Sequence, residues 1–205
     1  AKFRFHGLSA HASASPQVGR SALDGIEAMN NMVNMMREHV PPDVRIHYVI
    51  TNGGSAPNVV PDFAESYYYV RHSDTRIVEE IFERVVKAGE GAALGTETRM
   101  DYEIIGGEHS LLPNETLARL MHAKLVEVGG VSYSAEERAF AAELYSSIKA
   151  PILPLGSEAQ VQEFDFRRPG IGSTDVADVS WNVPTVGLRV ATWVPGTSAH
   201  SWQAI

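Results

Sequence analysis

The stretch Lys2-Phe3-Arg4-Phe5-His6 alternates polar and apolar side chains, and this alternation decides how the first half of the chain folds. A period of two residues is typical of a half-buried strand, which here has its two phenylalanines on the buried face. Three later segments also have strand character, namely Val44–Ile50, Ala64–Val70 and Met100–Ile104. We therefore predict four strands in roughly the first 110 residues.

Two helical patterns separate these strands. Ser15 and Pro16 supply an N-cap and a first-turn proline for the first predicted helix. Its apolar stripe is Val18, Ala22, Ile26, Met29, Val33 and Met36. Ser73 or Asp74 caps the second helix, whose stripe is Ile77, Ile81, Val85 and Ala88. The order β-α-β-β-α-β predicts a ferredoxin-like α+β domain, with both helices on one face of an antiparallel sheet.

The pattern changes after residue 112. Asn114 caps a predicted helix, and the capping box Ser134-Ala135-Glu136-Glu137 opens another. A long loop with three prolines, Ala150–Ile171, precedes one predicted strand at Thr185–Thr192. One strand and three helices cannot close a core. We therefore divide the chain into a domain of residues 1–112 and an incomplete α/β segment of residues 113–205.

Composition excludes several classes of function. The 205 residues carry a formal net charge of -8, so nucleic acid and anionic membrane surfaces are poor partners. The chain has no cysteine, which excludes disulfides within it and fits a cytoplasmic location. It contains no apolar run of the ~20 residues that a membrane helix needs. Both ends interrupt predicted elements, so we expect a piece of a longer protein.

Three polar residues of the first domain are candidates for a site. His11 lies between small residues in a loop, where it could donate a hydrogen bond to an oxyanion or carbonyl. Asn58 lies in a connection rich in glycine and proline, and Arg71 ends a strand rich in tyrosine. A guanidinium at such a position suits a carboxylate. Each residue, taken alone, also fits a simpler interpretation: a solvated histidine, an asparagine turn and a surface charge.

The last fifth of the chain contains a second candidate region. Ser173, Thr174 and Asp175 form a polar turn before a short predicted helix. His200 follows in a loop, where a neutral imidazole could ligate a metal. A lone histidine is more often a satisfied surface or core residue than a ligand, so this motif gains weight only from the rest of the chain.

Taken together and in order, these motifs resemble the M20 family of metal-dependent amidohydrolases and peptidases. The motifs that carry the resemblance are Gly7-x-x-Ala10-His11-Ala12, Gly19-Arg20-Ser21-Ala22, Asn58-Val59-Val60-Pro61-Asp62, Arg71, Ser173-Thr174-Asp175 and Gly196-x-x-x-His200. Within the family, Glu90–Leu94, Leu112-Pro113-Asn114 and His200-Ser201-Trp202-Gln203 are most similar to enzymes that cleave p-aminobenzoyl-glutamate and related N-acyl amino acids.

The resemblance implies that residues 1–112 are a lid inserted into a catalytic α/β domain. Lids of two subunits would pair through a sheet edge and a helix, in a homodimer or in a heterodimer with a related subunit. His11 would reach into the partner's active site and donate to the oxyanion of the tetrahedral intermediate. Asn58 and Arg71 would hold the carbonyl or carboxylate of a small amide substrate.

The resemblance also implies a two-metal site that holds Zn, Mn or Co. His200 would be its last ligand, and Ser173, Thr174 and Asp175 would shape the pocket beside the metals. The family's first-half ligands and its general base have no counterpart in this sequence. We therefore expect the full-length protein to be the hydrolase, acting by attack of a metal-bridged hydroxide on an amide. The present chain would be inactive and would bind no stoichiometric metal.

Two other functions remain open. A non-catalytic ferredoxin-like module for dimerisation or small-ligand binding accounts for the first domain equally well, but it leaves His200 and the polar turn at residues 173–175 without a purpose. The same hydrolytic chemistry could also act on a dipeptide or on a hippurate-like amide.

Overall fold

The computed structural model describes residues 1–151, 153–166 and 172–204. The chain divides into two compact units, Ala1–Ser110 and Leu111–Ile205. Part of the predicted proline-rich loop, residues 152 and 167–171, lies outside the described residues.

The first unit contains four strands and two long helices. Its elements are β1 (Lys2–His6), α1 (Ala22–Met36), β2 (Arg45–Asn52), β3 (Phe63–Arg71), α2 (Thr75–Gly95) and β4 (Arg99–Glu103). The four strands form one sheet in the order β2-β3-β1-β4, and every neighbouring pair is antiparallel. The four strands predicted from the sequence are therefore present, and β2 and β4 are the two edges.

The core of this unit lies between the helices and one face of the sheet. Phe3 and Phe5 of β1 are fully buried, as the alternation of the first five residues predicts. Fully buried apolar residues of α1 and α2 meet them. Tyr68 is also buried, and its hydroxyl donates a hydrogen bond to the side-chain oxygen of Asn30 on α1. This bond satisfies two polar groups that would otherwise destabilise the core.

The first helix begins later than the sequence indicates. Pro16–Val18 forms only a single 3₁₀ turn, Ser15 makes no side-chain cap, and Ser21 caps α1 by accepting a hydrogen bond from the backbone of Asp24. The prediction of a helix start at Ser15 is therefore wrong. The cause is a non-local pairing, because Arg20 exchanges two backbone hydrogen bonds with Leu8 and is held extended.

The second unit contains the helices α3 (Glu115–Val128), α4 (Ala135–Ser146) and α5 (Val176–Ser180). Asn114 caps α3, and Ser134 with Glu137 forms the predicted capping box of α4. Neither α3 nor α4 buries a residue. The helices therefore form where local signals predict them, although they enclose little apolar core.

The predicted strand at Thr185–Thr192 is absent, because the structure describes this segment and places no strand in it. Its apolar side chains Leu188 and Val190 are about half exposed, at 47% and 56%. A strand is stabilised by hydrogen bonds to a neighbouring strand. The apolar pattern alone could not show whether such a neighbour exists.

Across the residues that the structure describes, no helix is both long enough and apolar enough to cross a membrane.

Candidate functional site

His11 and Asn58 lie in two loops that pair with each other at one end of the sheet. His11 forms an isolated antiparallel bridge with Val59, and the Ala12 N–H donates to the Asn58 carbonyl at 3.0 Å. The loop of His11 begins at Gly7, directly after β1. The backbone of Gly7 packs so closely against Arg20 that a Cβ at this position would lie 1.9 Å from the Arg20 carbonyl oxygen. Two residues that are 47 positions apart in the sequence thus become neighbours.

Hydrogen bonds fix the imidazole of His11. Its Nδ1 accepts from the backbone N–H groups of Ser13 and Ala14, both at 3.2 Å, and the Ser13 hydroxyl lies at the same distance. A nitrogen that accepts two N–H donors carries no proton, so the neutral ring is protonated at Nε2. The side chain is exposed. His11 therefore presents an N–H donor on the side of the ring that faces away from its own loop.

The side-chain amide of Asn58 is also exposed. The simpler interpretation of Asn58 was a turn closed by its own side chain. Such a side-chain turn is formed by Asn52 instead, because the Oδ1 of Asn52 accepts from the N–H of Gly54 at 3.0 Å. Within the described part of the chain, no hydrogen bond of the Asn58 amide is seen. An open groove of about 510 Å3 is lined in part by Ala12, Pro57 and Val59, which neighbour His11 and Asn58 in the sequence. The amide is thus available to a ligand.

Arg71 lies at the opposite end of β3 from these loops. His6 at the end of β1 pairs with Phe63, the first residue of β3, whereas Arg71 is the last. Eight residue steps of about 3.3 Å each separate the two ends by roughly 26 Å. The guanidinium of Arg71 lies over the ring of Tyr69, 5.1 Å from its centroid. A single protomer therefore does not bring Arg71 to His11 and Asn58.

Ser173, Thr174 and Asp175 are exposed and precede α5 directly. The hydroxyl of Thr174 accepts from the backbone N–H of Val176 at 3.3 Å and donates to the carboxylate of Asp175 at 3.4 Å. These bonds hold the turn in place, and the three polar side chains remain at the surface.

His200 is exposed in a turn with a left-handed backbone, φ 64°. Among the described residues, no group of three or more His, Cys, Asp or Glu side chains could hold a metal ion. A two-metal centre needs several carboxylate and imidazole ligands. The described residues therefore do not by themselves form the metal centre that the M20 resemblance implies.

Two features of the candidate site are not evident from the sequence. The backbone donors of Ser13 and Ala14 to His11 depend on turn geometry, although the small residues of this loop are a signal that it approaches other atoms closely. Arg45 lies directly opposite Arg71 across β2 and β3, and this juxtaposition depends on the strand register. No pattern within either strand indicates it.

Comparisons with known proteins agree with the motifs. Residues 1–96 match the model of the M20 peptidase dimerisation domain. The chain is 35% identical to the B subunit of p-aminobenzoyl-glutamate hydrolase from Escherichia coli (strain K12), in an alignment covering 100% of this chain and 48% of that protein. It is 30% identical to the Xaa-Arg dipeptidase of Mus musculus, over 56% of this chain and 27% of that protein.

A solved structure agrees with these relatives. The aminobenzoyl-glutamate utilization protein from Klebsiella pneumoniae superposes with a TM-score of 0.51 and 25% identity, covering 64% of this chain and 33% of that one. The chain spans about half the length of the curated relative that it matches from end to end. The resemblance to the M20 family is thus confirmed: residues 1–96 form an M20 peptidase dimerisation domain, and the whole chain is similar to the B subunit of p-aminobenzoyl-glutamate hydrolase.

Proposed function

We propose that the full-length protein is an M20-type amidohydrolase that cleaves an N-acyl amino acid such as p-aminobenzoyl-glutamate. The observation that carries this proposal is the pairing of the loops of His11 and Asn58, one of which exposes an imidazole N–H and the other an amide side chain. Fixed donors of this kind stabilise the oxyanion that develops when an amide carbonyl is attacked. The similarity along the whole chain to a component of p-aminobenzoyl-glutamate hydrolase supports the same chemistry.

The first unit, taken as residues 1–112, is proposed to be a ferredoxin-like lid that dimerises through β2. β2 is an eight-residue edge strand with Val49 and Ile50 exposed at 56% and 40%. The other edge, β4, has five residues, three of which are charged. Short charged edges resist pairing, whereas long edges with apolar side chains favour it. The edge that a second subunit would extend is therefore β2, in a homodimer or with a related subunit.

Pairing of two β2 strands about a twofold axis would be antiparallel, so the start of one strand would lie beside the end of the other. The start of β2 is next to Arg71 across the sheet, and its end leads into the loop that carries Asn58. Arg71 of one subunit would then join His11 and Asn58 of its partner around one substrate. Arg71 would bind the substrate carboxylate, and the other two would bind the amide carbonyl.

Residues 113–205 are proposed to contribute to the catalytic domain, with Ser173, Thr174 and Asp175 lining its pocket and His200 serving as a metal ligand. Two divalent ions, Zn, Mn or Co, are proposed for the full-length enzyme. Because the described residues do not form that centre by themselves, no catalytic step is assigned to the metals, and the roles proposed here are those of the side chains of this chain. This chain alone is expected to be inactive and to bind no stoichiometric metal. A cytoplasmic location is part of the same proposal.

The test is hydrolysis of p-aminobenzoyl-glutamate by the full-length protein and its variants. His11→Ala should lower kcat by about 10²- to 10³-fold, the usual effect of removing one oxyanion donor. His200→Ala should abolish activity. If both variants keep wild-type rates, these assignments are wrong.

A second substrate class is a dipeptide, because the chain also resembles a mammalian Xaa-Arg dipeptidase. Assaying a dipeptide with a C-terminal arginine beside p-aminobenzoyl-glutamate distinguishes the two classes. A higher kcat/KM for the dipeptide than for p-aminobenzoyl-glutamate would identify a dipeptide as the preferred substrate class. No hydrolysis of any amide by the full-length protein would instead favour a non-catalytic dimerisation or ligand-binding module.

A further inference from the structure

Arg45 and Arg71 lie directly opposite each other on neighbouring antiparallel strands. Both side chains point to the face of the sheet away from the core, because the alternate positions Ile46 and Tyr68 are buried. Like charges at directly opposed positions destabilise a sheet. A bound anion would offset this repulsion.

Neither guanidinium finds a carboxylate among the described residues. Arg45 uses only Nη1, which donates to the carbonyl oxygens of Pro42 and Val44 at 2.7 and 2.9 Å. Arg71 lies over the ring of Tyr69. These contacts leave most of the ten guanidinium N–H groups of the pair without a protein acceptor in the described part of the chain.

The rest of the same sheet face neutralises its charges. Arg4 donates to Glu65 at 2.9 Å, and His6 lies 2.7 Å from Asp101. Lys2 lies 3.4 Å from Glu65, the carboxylate that it shares with Arg4. Among the described residues of this face, the arginines without a carboxylate partner are therefore Arg45 and Arg71, at the end formed by the start of β2 and the end of β3.

Two further polar groups border this arginine pair. His47 lies directly opposite Tyr69 in the next register position, and both are exposed. The imidazole and the phenol can each donate one hydrogen bond. Planar guanidinium forks bind carboxylates through two parallel hydrogen bonds, and two forks on adjacent strands present two such positions side by side.

We propose that Arg45 and Arg71 form a subsite for a dicarboxylate, in which Arg71 binds the α-carboxylate of the substrate's amino acid and Arg45 binds its side-chain carboxylate. This inference rests on the proposed function for the identity of the reaction, and it names the substrate class as N-acyl acidic amino acids. Arg45 would be the residue that selects glutamate or aspartate over a neutral amino acid.

Binding is tested first on this chain, by following the resonances of His47, Tyr69 and the arginine side chains by NMR. The probes are glutarate, butyrate and inorganic phosphate. Glutarate should shift these resonances at lower concentration than the other two, and Arg45→Gln should reduce its effect to that of butyrate. Arg84→Gln is the matched control, because Arg84 also donates to a backbone carbonyl, that of His39 at 2.9 Å, and it lies on α2. Equal effects of glutarate and butyrate, or of glutarate and phosphate, would overturn the subsite.

Selectivity is tested second, on the full-length protein. Arg45→Gln should raise KM for an N-acyl glutamate by about 10- to 100-fold, the usual effect of losing a hydrogen bond between charged groups. KM for the matching N-acyl alanine should stay within about twofold, since no second carboxylate is present. Equal changes for both substrates would refute the role of Arg45. If the protein hydrolyses neither substrate, the proposed function fails, and the glutarate titration still decides the subsite.

Discussion

The distance between His11 and Arg71 leads to a test with mixed subunits. The two residues lie at opposite ends of a strand that spans roughly 26 Å, whereas each is proposed to contact the same small substrate. One subunit can supply only one of them to a given site. A His11→Ala subunit and an Arg71→Gln subunit, each strongly impaired as a homodimer, should therefore complement each other when mixed.

The expected recovery follows from the twofold arrangement. Random exchange between equal amounts of the two variants makes half of the dimers mixed, and each mixed dimer has one intact site and one that carries both defects. Activity should therefore return to about one quarter of the wild-type value. The assay is the hydrolysis rate of p-aminobenzoyl-glutamate, measured after the full-length subunits have been dissociated and reassociated together.

A matched mixture provides the control. Asn58 lies in the loop paired with that of His11, so both residues should enter the site from the same subunit. A mixture of His11→Ala and Asn58→Ala subunits should therefore stay at the level of the parent variants. Recovery in this mixture, or none in the mixture of His11 and Arg71 variants, would refute the placement of the three residues.

The chain itself offers three further tests. Tyr68→Phe removes the buried donor to Asn30 and should lower the free energy of unfolding by about 1–3 kcal/mol, measured by hydrogen exchange of the β3 amides. Burial raises the pKa of the Tyr68 hydroxyl above its value in the unfolded chain. The stabilisation that this protonated hydroxyl provides is therefore complete below about pH 10. At higher pH the free energy of unfolding should fall by up to about 1.4 kcal/mol per pH unit. Tyr68→Phe should flatten this fall, and an unchanged pH dependence in the variant would contradict the role of Tyr68. Gly25→Ala places a Cβ 2.3 Å from the ring carbon Cδ1 of Phe5 and should lower the free energy of unfolding by about 1–3 kcal/mol. A urea midpoint equal to that of the wild type would contradict this prediction and show that the core rearranges around the added methyl group. Nitrogen-15 NMR at neutral pH should find His11 protonated at Nε2, and a dominant Nδ1–H form would contradict the proposed donor.

The elements of the first unit could be predicted where their signals are local. Alternation along β1 and the three- and four-residue spacing of α2 each arise within one element. The start of α1 could not be predicted in this way. Ser15-Pro16 is a genuine start signal for a helical turn, but the pairing of Arg20 with Leu8 interrupts the helix before Ser21 restarts it.

The candidate site was predictable in its residue types and not in its arrangement. His11 and Asn58 stood out because glycine, serine and proline surround them in the sequence. Their adjacency depends on the bridge between residues 11 and 59, which no local pattern indicates. The opposition of Arg45 and Arg71 depends on the register of β2 against β3, where a shift of one residue would place one arginine on the other face.

The placement of polar groups at both ends of one sheet favours a two-subunit site over a one-subunit site. An antiparallel sheet with one buried face can present ligand-binding side chains on its exposed face and in the loops at its two ends. In this domain one end holds His11 and Asn58, the proposed donors for a carbonyl, and the other holds Arg45 and Arg71, the proposed pair for carboxylates. An N-acyl amino acid carries its amide carbonyl within a few bonds of its α-carboxylate and cannot bridge roughly 26 Å. A twofold axis beside β2 reverses the strand direction and brings opposite ends together, which is the simplest way for both sets of donors to reach one substrate.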